Sequence, residues 1–137
     1  MTARIIGVDP GERRVGLAVS DPLGITAQGL DTFDRRKDGD FMARLRDLVA
    51  EYEVERIVVG NPVSLSGREG EASARARLLA DEIARGLGLP VELWDERLSS
   101  VEAQRTLAGA RAGKKAVDRV AAVLILQGYL DAHPRAS

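Results

Sequence analysis

The sequence predicts a mixed α/β fold, with a five-stranded sheet of three antiparallel and two parallel strands flanked by helices. Two short apolar runs, 4–9 and 15–20, surround a Gly-rich turn, which is typical of a hairpin. From residue 40 the apolar residues recur at helical spacing instead. Two further apolar runs follow helical patterns, as the crossovers of a parallel sheet require.

The elements follow one another in a simple order. After the hairpin, a weaker third strand is predicted over Ile25 to Phe33. A first amphipathic helix spans residues 41–52, and the strand after it, Arg56 to Gly60, is apolar without alternation, as a central strand covered on both faces should be. A second helix over 72–87, closed by Gly86 and Gly88, leads to the last strand, 91–95.

Two more helices are predicted in the last third of the chain. Ser99 and Glu102 form a capping box that starts the first of them. The final helix begins at Lys115 or Ala116, and it is apolar on nearly all sides from 120 to 126, so we expect it to be buried. The chain should form a single domain over residues 1–132, followed by a flexible tail, 133–137.

Composition narrows the classes of function. The 137 residues, 45% hydrophobic and 30% charged, are typical of one globular domain. The absence of Cys excludes disulfides, thiolate catalysis and Cys-based zinc sites. With no membrane-length apolar run and no signal-peptide pattern, a cytoplasmic protein without membrane contact is expected.

The net charge of −1 argues against a broad basic surface, but cations occur in three local clusters. The middle cluster, 35–37, is interpreted as solvated surface charge. The other two lie beside acidic motifs, where phosphate contact is favoured: Arg13 and Arg14, and then Arg111, Lys114, Lys115 and Arg119. Because only 4% of residues are aromatic, a nucleic acid would be held through its backbone and shape.

Three carboxylates are the candidate site. Asp9 ends the first strand in a Gly-Pro turn, Glu96 follows the last strand, and Asp118 lies early in the buried helix. Taken alone, Asp9 could simply close the turn, and Asp118 could simply be a helix-dipole partner. Together at one sheet edge they would be strongly destabilising without a cation, and Mg²⁺ or Mn²⁺ suits such an all-oxygen site.

Other kinds of site are less well supported. The Asp9 turn is also similar to the phosphate loop of actin-like ATPases and sugar kinases, which need two such domains. Gly113-Lys114-Lys115 lacks the remaining residues of a P-loop. His133 is the only His, so zincin and His-based triad chemistry are excluded, and we expect His133 to be inert. Trp94 is interpreted as core.

A set of motifs resembles the YqgF/RuvX family of bacterial Holliday junction resolvases and ribosomal RNA precursor nucleases. The resemblance covers about 4–130 and rests on these residues: Gly7 to Gly11, Arg14, Gly16, Ser20-Asp21, Gly60-Asn61-Pro62, Gly67, Asp95-Glu96-Arg97, Asp118, Ala121-Ala122 and Ile125 to Gln127. It implies a ribonuclease H-like fold, a cytoplasmic nuclease acting in small-subunit ribosomal RNA maturation, and a catalytic set of Asp9, Glu96 and Asp118. Asn61 departs from many ribonuclease H-like nucleases, which carry a carboxylate there, and this leaves Glu96 as the substitute.

The leading hypothesis is phosphodiester hydrolysis assisted by two divalent cations, Mg²⁺ or Mn²⁺, bound by the three carboxylates. Arg14, Arg97 and Lys115 would neutralise substrate phosphates, although Arg97 could instead pair with Asp95 or Glu96. The expected partner is precursor ribosomal RNA or branched DNA, with a small-subunit precursor as a further candidate and a monomer or homodimer as the assembly. A junction resolvase, a non-catalytic nucleic-acid-binding module and a nucleotide phosphohydrolase stay open as alternatives.

Overall fold

The computed structural model describes residues 4–62, 70–95 and 114–133, with side chains described from residue 120 onward in the last range. The elements in these ranges, in chain order, are β1 (Arg4–Asp9), β2 (Arg14–Ser20), β3 (Ala27–Gly29), β4 (Phe33–Asp34), α1 (Phe41–Tyr52), β5 (Val54–Asn61), α2 (Glu71–Leu87), β6 (Val91–Asp95) and α3 (Lys114–Ala132). The helix predicted from Ser99 lies outside the described residues. No helix in these ranges is both long and apolar enough to cross a membrane.

The strands form one mixed sheet in the order β3-β2-β1-β5-β6, with β4 also paired to β2. β1 and β2 are antiparallel, whereas β1, β5 and β6 run parallel to one another. Val8 lies opposite Val59, and Gly60 lies opposite Trp94, so the carboxyl ends of the three parallel strands meet at one edge. Because the predicted catalytic residue Asp9 ends β1 here, this predicted catalytic edge is called the catalytic edge for short below. The mixed architecture is as predicted.

The predicted third strand is the one departure in the sheet, which has six strands and not five. Gly29 pairs with Ala18, and Phe33 pairs with Val15. Between these two pairs the chain advances by four residues, from 29 to 33, whereas β2 advances by only three, from 15 to 18. The extra residue interrupts the ladder as a bulge does, and it divides the predicted strand into β3 and β4.

The helices begin and end close to their predicted positions. Asp40 accepts the N–H of Met42 at 3.0 Å and caps α1, which a left-handed Glu53 ends. Gly88, at φ 68°, ends α2, whereas Gly86 lies inside that helix and does not close it. α3 starts at Lys114, one residue before the predicted range.

Two apolar layers cover the two faces of the sheet. Alternate residues of the strands, among them Ile6, Val8 and Val59, pack beneath α1 and α2. The remaining residues, among them Ile5 and Val58, pack against α3. The second face is called the α3 face below.

α3 lies very close to β1. A Cβ on Gly7 would be 2.7 Å from the Cβ of Leu126 and 3.3 Å from the carbonyl oxygen of Ala122, so only glycine permits this approach. The carboxamide of Gln127 also joins α3 to the chain around β3, because its Nε2 donates to the Ile25 carbonyl at 2.8 Å and its Oε1 accepts the Ala27 N–H at 3.0 Å.

These contacts give the direction of α3. Its C-terminal part adjoins Ala27, which pairs with Ser20 at the end of β2, beside the beginning of β1. Its middle, at Ala122 and Leu126, lies over Gly7. α3 therefore crosses the sheet obliquely. Over β1 its N-terminal turns lie toward the catalytic edge, whereas its C-terminal turns reach Trp94 of β6.

Candidate active site

Asp9 is the last residue of β1 and lies on the α3 face. It follows the alternation of Ile5 and Gly7, and only 8% of its surface is exposed. The next turn depends on Gly11, because a Cβ there would collide with the carbonyl oxygen of Arg14. The sequence around the turn therefore holds a buried carboxylate at the catalytic edge.

The two arginines after this turn have different environments. The Nε of Arg13 donates to both carboxylate oxygens of Asp34, at 3.2 and 3.3 Å. The Nε of Arg14 is buried, and among the described residues it has no hydrogen-bond partner. Arg14 is a diagonal neighbour of Asp9 on the same face, because Asp9 pairs with Gly16. Arg13 is therefore a structural residue, whereas Arg14 keeps a donor available beside the carboxylate.

The turn is attached to the rest of the fold on two sides. On one side, Asp34 holds Arg13 and accepts the backbone N–H of Arg36 at 2.9 Å. That N–H and the Arg13 guanidinium lower the pKa of Asp34, although burial raises it. On the other side, Arg75 of α2 pairs with Glu12 at 2.9 Å. Both anchors restrict the backbone that carries Asp9 and Arg14.

Asn61, at the end of β5, contacts α2 and lies on the opposite face of the sheet from Asp9. Its Oδ1 accepts the hydroxyl of Ser73 at 2.6 Å, and both side chains are buried. By alternation along β5, Asn61 shares a face with Val59, beneath α1 and α2, and lies opposite to the α3 face. The amide oxygen is thus used to join β5 to the first turn of α2.

The other predicted site residues are described only in part. Glu96 and Arg97 lie outside the described residues. Lys115 and Asp118 lie in α3, but their side chains are outside the described part of the structure. Among the described residues, no three potential ligands of the His, Cys, Asp and Glu types come together as a metal-binding group. Asp9 and Arg14 are therefore the pair of predicted residues that the structure places side by side.

An aromatic cluster near the end of α3 was not expected from the sequence. The ring of His133 stacks on Tyr129 at 4.2 Å between centroids, and Trp94 packs edge-on against Tyr129 at 5.6 Å. Burial, followed by a hydrogen bond with Glu92, raises the pKa of Tyr129. Trp94 belongs to the core as predicted. The i, i+4 spacing of Tyr129 and His133 was the signal available in the sequence.

Comparison with known proteins gives the family. The model of the RuvX family, described as Holliday junction resolvase, matches residues 3–132. The chain belongs to the RuvX family. RuvX proteins are classed as nucleases, enzymes that hydrolyse phosphodiester bonds, and the resemblance noted in the sequence is confirmed.

Two relatives illustrate how similar RuvX proteins are along their whole length. A protein of Koribacter versatilis is 48% identical over 132 residues, covering 93% of this chain and 86% of its own. A protein of Myxococcus xanthus is 46% identical over 134 residues, covering 95% and 89% of the two chains. Both relatives are named as candidate pre-16S rRNA nucleases.

Solved structures show that this RuvX chain has the ribonuclease H-like fold. Thermus thermophilus RuvC in complex with a Holliday junction substrate superposes with a TM-score of 0.59 at 17% identity, covering 96% of each chain. The fowlpox virus resolvase in complex with Holliday junction DNA gives 0.53 at 13% identity, covering 94% of this chain and 97% of that one. Identities this low establish the fold only.

Proposed function

We propose that this protein is a metal-dependent nuclease that hydrolyses phosphodiester bonds of structured RNA, in maturation of the 5′ end of 16S ribosomal RNA. The observation that carries the proposal is the position of a buried guanidinium donor, the Nε of Arg14, diagonally across the sheet from a buried carboxylate, Asp9. A carboxylate can bind a cation, and the neighbouring donor can bind the phosphate that the cation attracts.

The direction of α3 supports Asp118 as a partner of Asp9. Gly7 contacts Ala122, and Asp9 lies two residues further along β1, about 7 Å at strand spacing. Asp118 lies four residues before Ala122, about 6 Å along a helix axis. Because the N-terminal turns of α3 lie toward the catalytic edge over β1, both displacements point toward that edge. The position of Asp118 along α3 therefore supports the proposed partnership with Asp9.

Glu96 is proposed as the third carboxylate from its place in the sequence. It directly follows β6, whose Trp94 packs against the α3 core and whose Glu92 lies beside Tyr129. This completes an all-oxygen set of Asp9, Glu96 and Asp118.

The donor set fits Mg²⁺ or Mn²⁺. Three carboxylates would bring three negative charges to a largely buried edge, which is unfavourable unless a cation neutralises them. Two such ions would supply Lewis-acid stabilisation of the phosphoryl and leaving oxygens. Asp9, at the end of the central strand β1, would be one of the residues that hold these ions.

The cationic side chains have a separate task in this proposal. A phosphate brings further negative charge to the carboxylates, and Arg14 offsets that charge through its buried Nε. Arg97 and Lys115 are proposed to hold flanking phosphates. The turn anchors on Glu12 and Arg13 keep Arg14 in position, so the side chain is oriented before substrate binds.

Precursor ribosomal RNA is the favoured substrate because the relatives that are 46–48% identical are named for it. The description of the family model favours a second candidate, a resolvase of branched DNA. A symmetric junction would suit a homodimer, whereas trimming of one RNA end would suit a monomer. A single domain over 1–132 and action in the cytoplasm are parts of the same proposal.

The test is cleavage of a 16S precursor RNA and of a four-way DNA junction, side by side, with Mn²⁺ or with EDTA. Asp9→Asn should abolish metal-dependent cleavage while the protein stays folded, because the carboxylate charge is lost and the shape is kept. Asp47→Asn, an exposed substitution on α1, is the matched control and should cleave normally. Full activity of Asp9→Asn, or equal cleavage in EDTA, would refute the mechanism, and binding without turnover would support a non-catalytic module.

A further inference from the structure

The loop after β4 carries three consecutive cations, Arg35, Arg36 and Lys37, all of which are exposed. Their position in the sequence favours no role beyond solvated surface charge. The strand order changes this, because β4 pairs with β2 and was not expected as a separate strand. The pairing of β4 with β2 therefore determines what lies next to the loop.

β4 ends at the catalytic edge. It is antiparallel to β2, which is antiparallel to β1, so β4 and β1 point in the same direction. Asp34, its last residue, pairs with Arg14 at the start of β2, and the N–H of Arg35 donates to the Arg13 carbonyl at 2.8 Å. One strand separates β4 from β1, which gives a distance of about 10 Å from the loop to the end of β1.

The acidic groups of this loop are engaged inside it. Asp34 accepts the backbone N–H of Arg36, and Asp38 accepts the N–H of Asp34 at 2.8 Å. Asp40 caps the first turn of α1. These bonds stiffen the loop and direct its carboxylates toward backbone groups, while Arg36 and Lys37 are exposed to solvent beside the catalytic edge.

We propose that Arg36 and Lys37 bind the phosphate backbone of the substrate on the β4 side of the scissile phosphate. A span of about 10 Å corresponds to about three nucleotides of a helical strand at 3.4 Å each. Arg35 is assigned to the loop itself, since its guanidinium lies over the Phe41 ring at 5.5 Å. This inference rests on the proposed function, because it takes Asp9 as the cleavage point.

The experiment measures binding apart from cleavage. In an Asp9→Asn background with EDTA, the Kd for labelled 16S precursor RNA and for a four-way DNA junction is measured at several salt concentrations. Arg36→Gln/Lys37→Gln should raise the Kd on the order of tenfold at 0.1 M salt and reduce the salt slope by about 1.4–1.8. Arg85→Gln, which removes an exposed cation at the far end of α2, is the control and should change neither.

In otherwise unsubstituted protein the double variant should raise KM and leave kcat unchanged, because the loop lies away from the reacting phosphate. An unaltered salt slope, or a Kd change no larger than that of Arg85→Gln, would overturn the assignment. If the protein cleaves neither substrate but the double variant still weakens binding, the proposed function fails and the binding surface stands. A larger effect on RNA than on the junction, or the reverse, identifies the preferred backbone.

Discussion

The contact between Gly7 and α3 gives a prediction whose size follows from the structure. In Gly7→Ala the new Cβ would lie 2.7 Å from the Leu126 Cβ. Carbon atoms in good contact are about 3.5–4.0 Å apart, so α3 would have to move about 1 Å from β1. Leu126 cannot turn its Cβ away, because the helix backbone holds that atom.

The cost in stability can be bounded. Overpacking of a filled core costs about 1–3 kcal/mol, and replacing a strand glycine by alanine returns about 0.5–1 kcal/mol. From the midpoints of these two ranges we expect Gly7→Ala to lower the free energy of unfolding by about 1 kcal/mol. The proposed partner of Asp9, Asp118, belongs to α3, so under the proposed function the same displacement of about 1 Å should also reduce turnover, by up to about 100-fold.

Urea denaturation followed by circular dichroism measures the first effect, and metal-dependent cleavage measures the second. Gly86→Ala is the matched control, because its Cβ would meet the terminal methyl of Met42, which can rotate away. Since Gly86 lies inside α2, the control should gain up to about 1 kcal/mol from helix propensity. If Gly7→Ala is as stable as the parent, or if both variants lose stability equally, the reasoning about α3 is wrong.

Two further predictions concern the anchors around the site. The lowered pKa of Asp34 means that its contribution to stability is complete above the ordinary value of 3.8 and is lost as the pH falls through the lower folded value. Below pH 3.8 the free energy of unfolding should therefore fall less in Asp34→Asn than in the parent protein. Urea titrations at several pH values measure this, and the same pH dependence in both proteins would contradict it. Ser73→Ala removes the hydroxyl that donates to Asn61, so the free energy of unfolding should fall by about 1–3 kcal/mol. In a double-mutant cycle, Asn61→Ala/Ser73→Ala should cost less than the sum of the two single variants, because both lose the same hydrogen bond, and strict additivity would contradict this.

Local patterns were sufficient to predict most of the elements. The apolar run 4–9 beside a Gly-rich turn predicts β1, and the helical spacing of apolar residues from Phe41 to Tyr52 predicts α1; the structure has both, at Arg4–Asp9 and Phe41–Tyr52. The divided third strand was not predictable in this way, because the extra residue shows only against the register of β2. The sequence predicts that Gly86 and Gly88 both close α2, but the left-handed φ that stops the helix belongs to Gly88 alone of the two.

The site was predictable as a list of residues and less so as an arrangement. Asp9 and Arg14 were expected near one another, and they do share a face of the sheet. The difference between Arg13 and Arg14 depends on Asp34, which is 21 residues away and belongs to a strand that the sequence did not reveal. Glu96 and Asp118 remain predictions. Long-range pairs such as Glu12 with Arg75 leave no periodic trace in a single sequence.

The Gln127 carboxamide has a consequence for the protein in crowded solution. β3 is a short strand at one end of the sheet, a position where a strand from another molecule could add. Gln127 already forms hydrogen bonds with the N–H of Ala27, the first residue of β3, and with the carbonyl of Ile25 just before it. An incoming strand would have to displace this side chain to use either group, so α3 protects this end of the sheet against aggregation as well as covering its face.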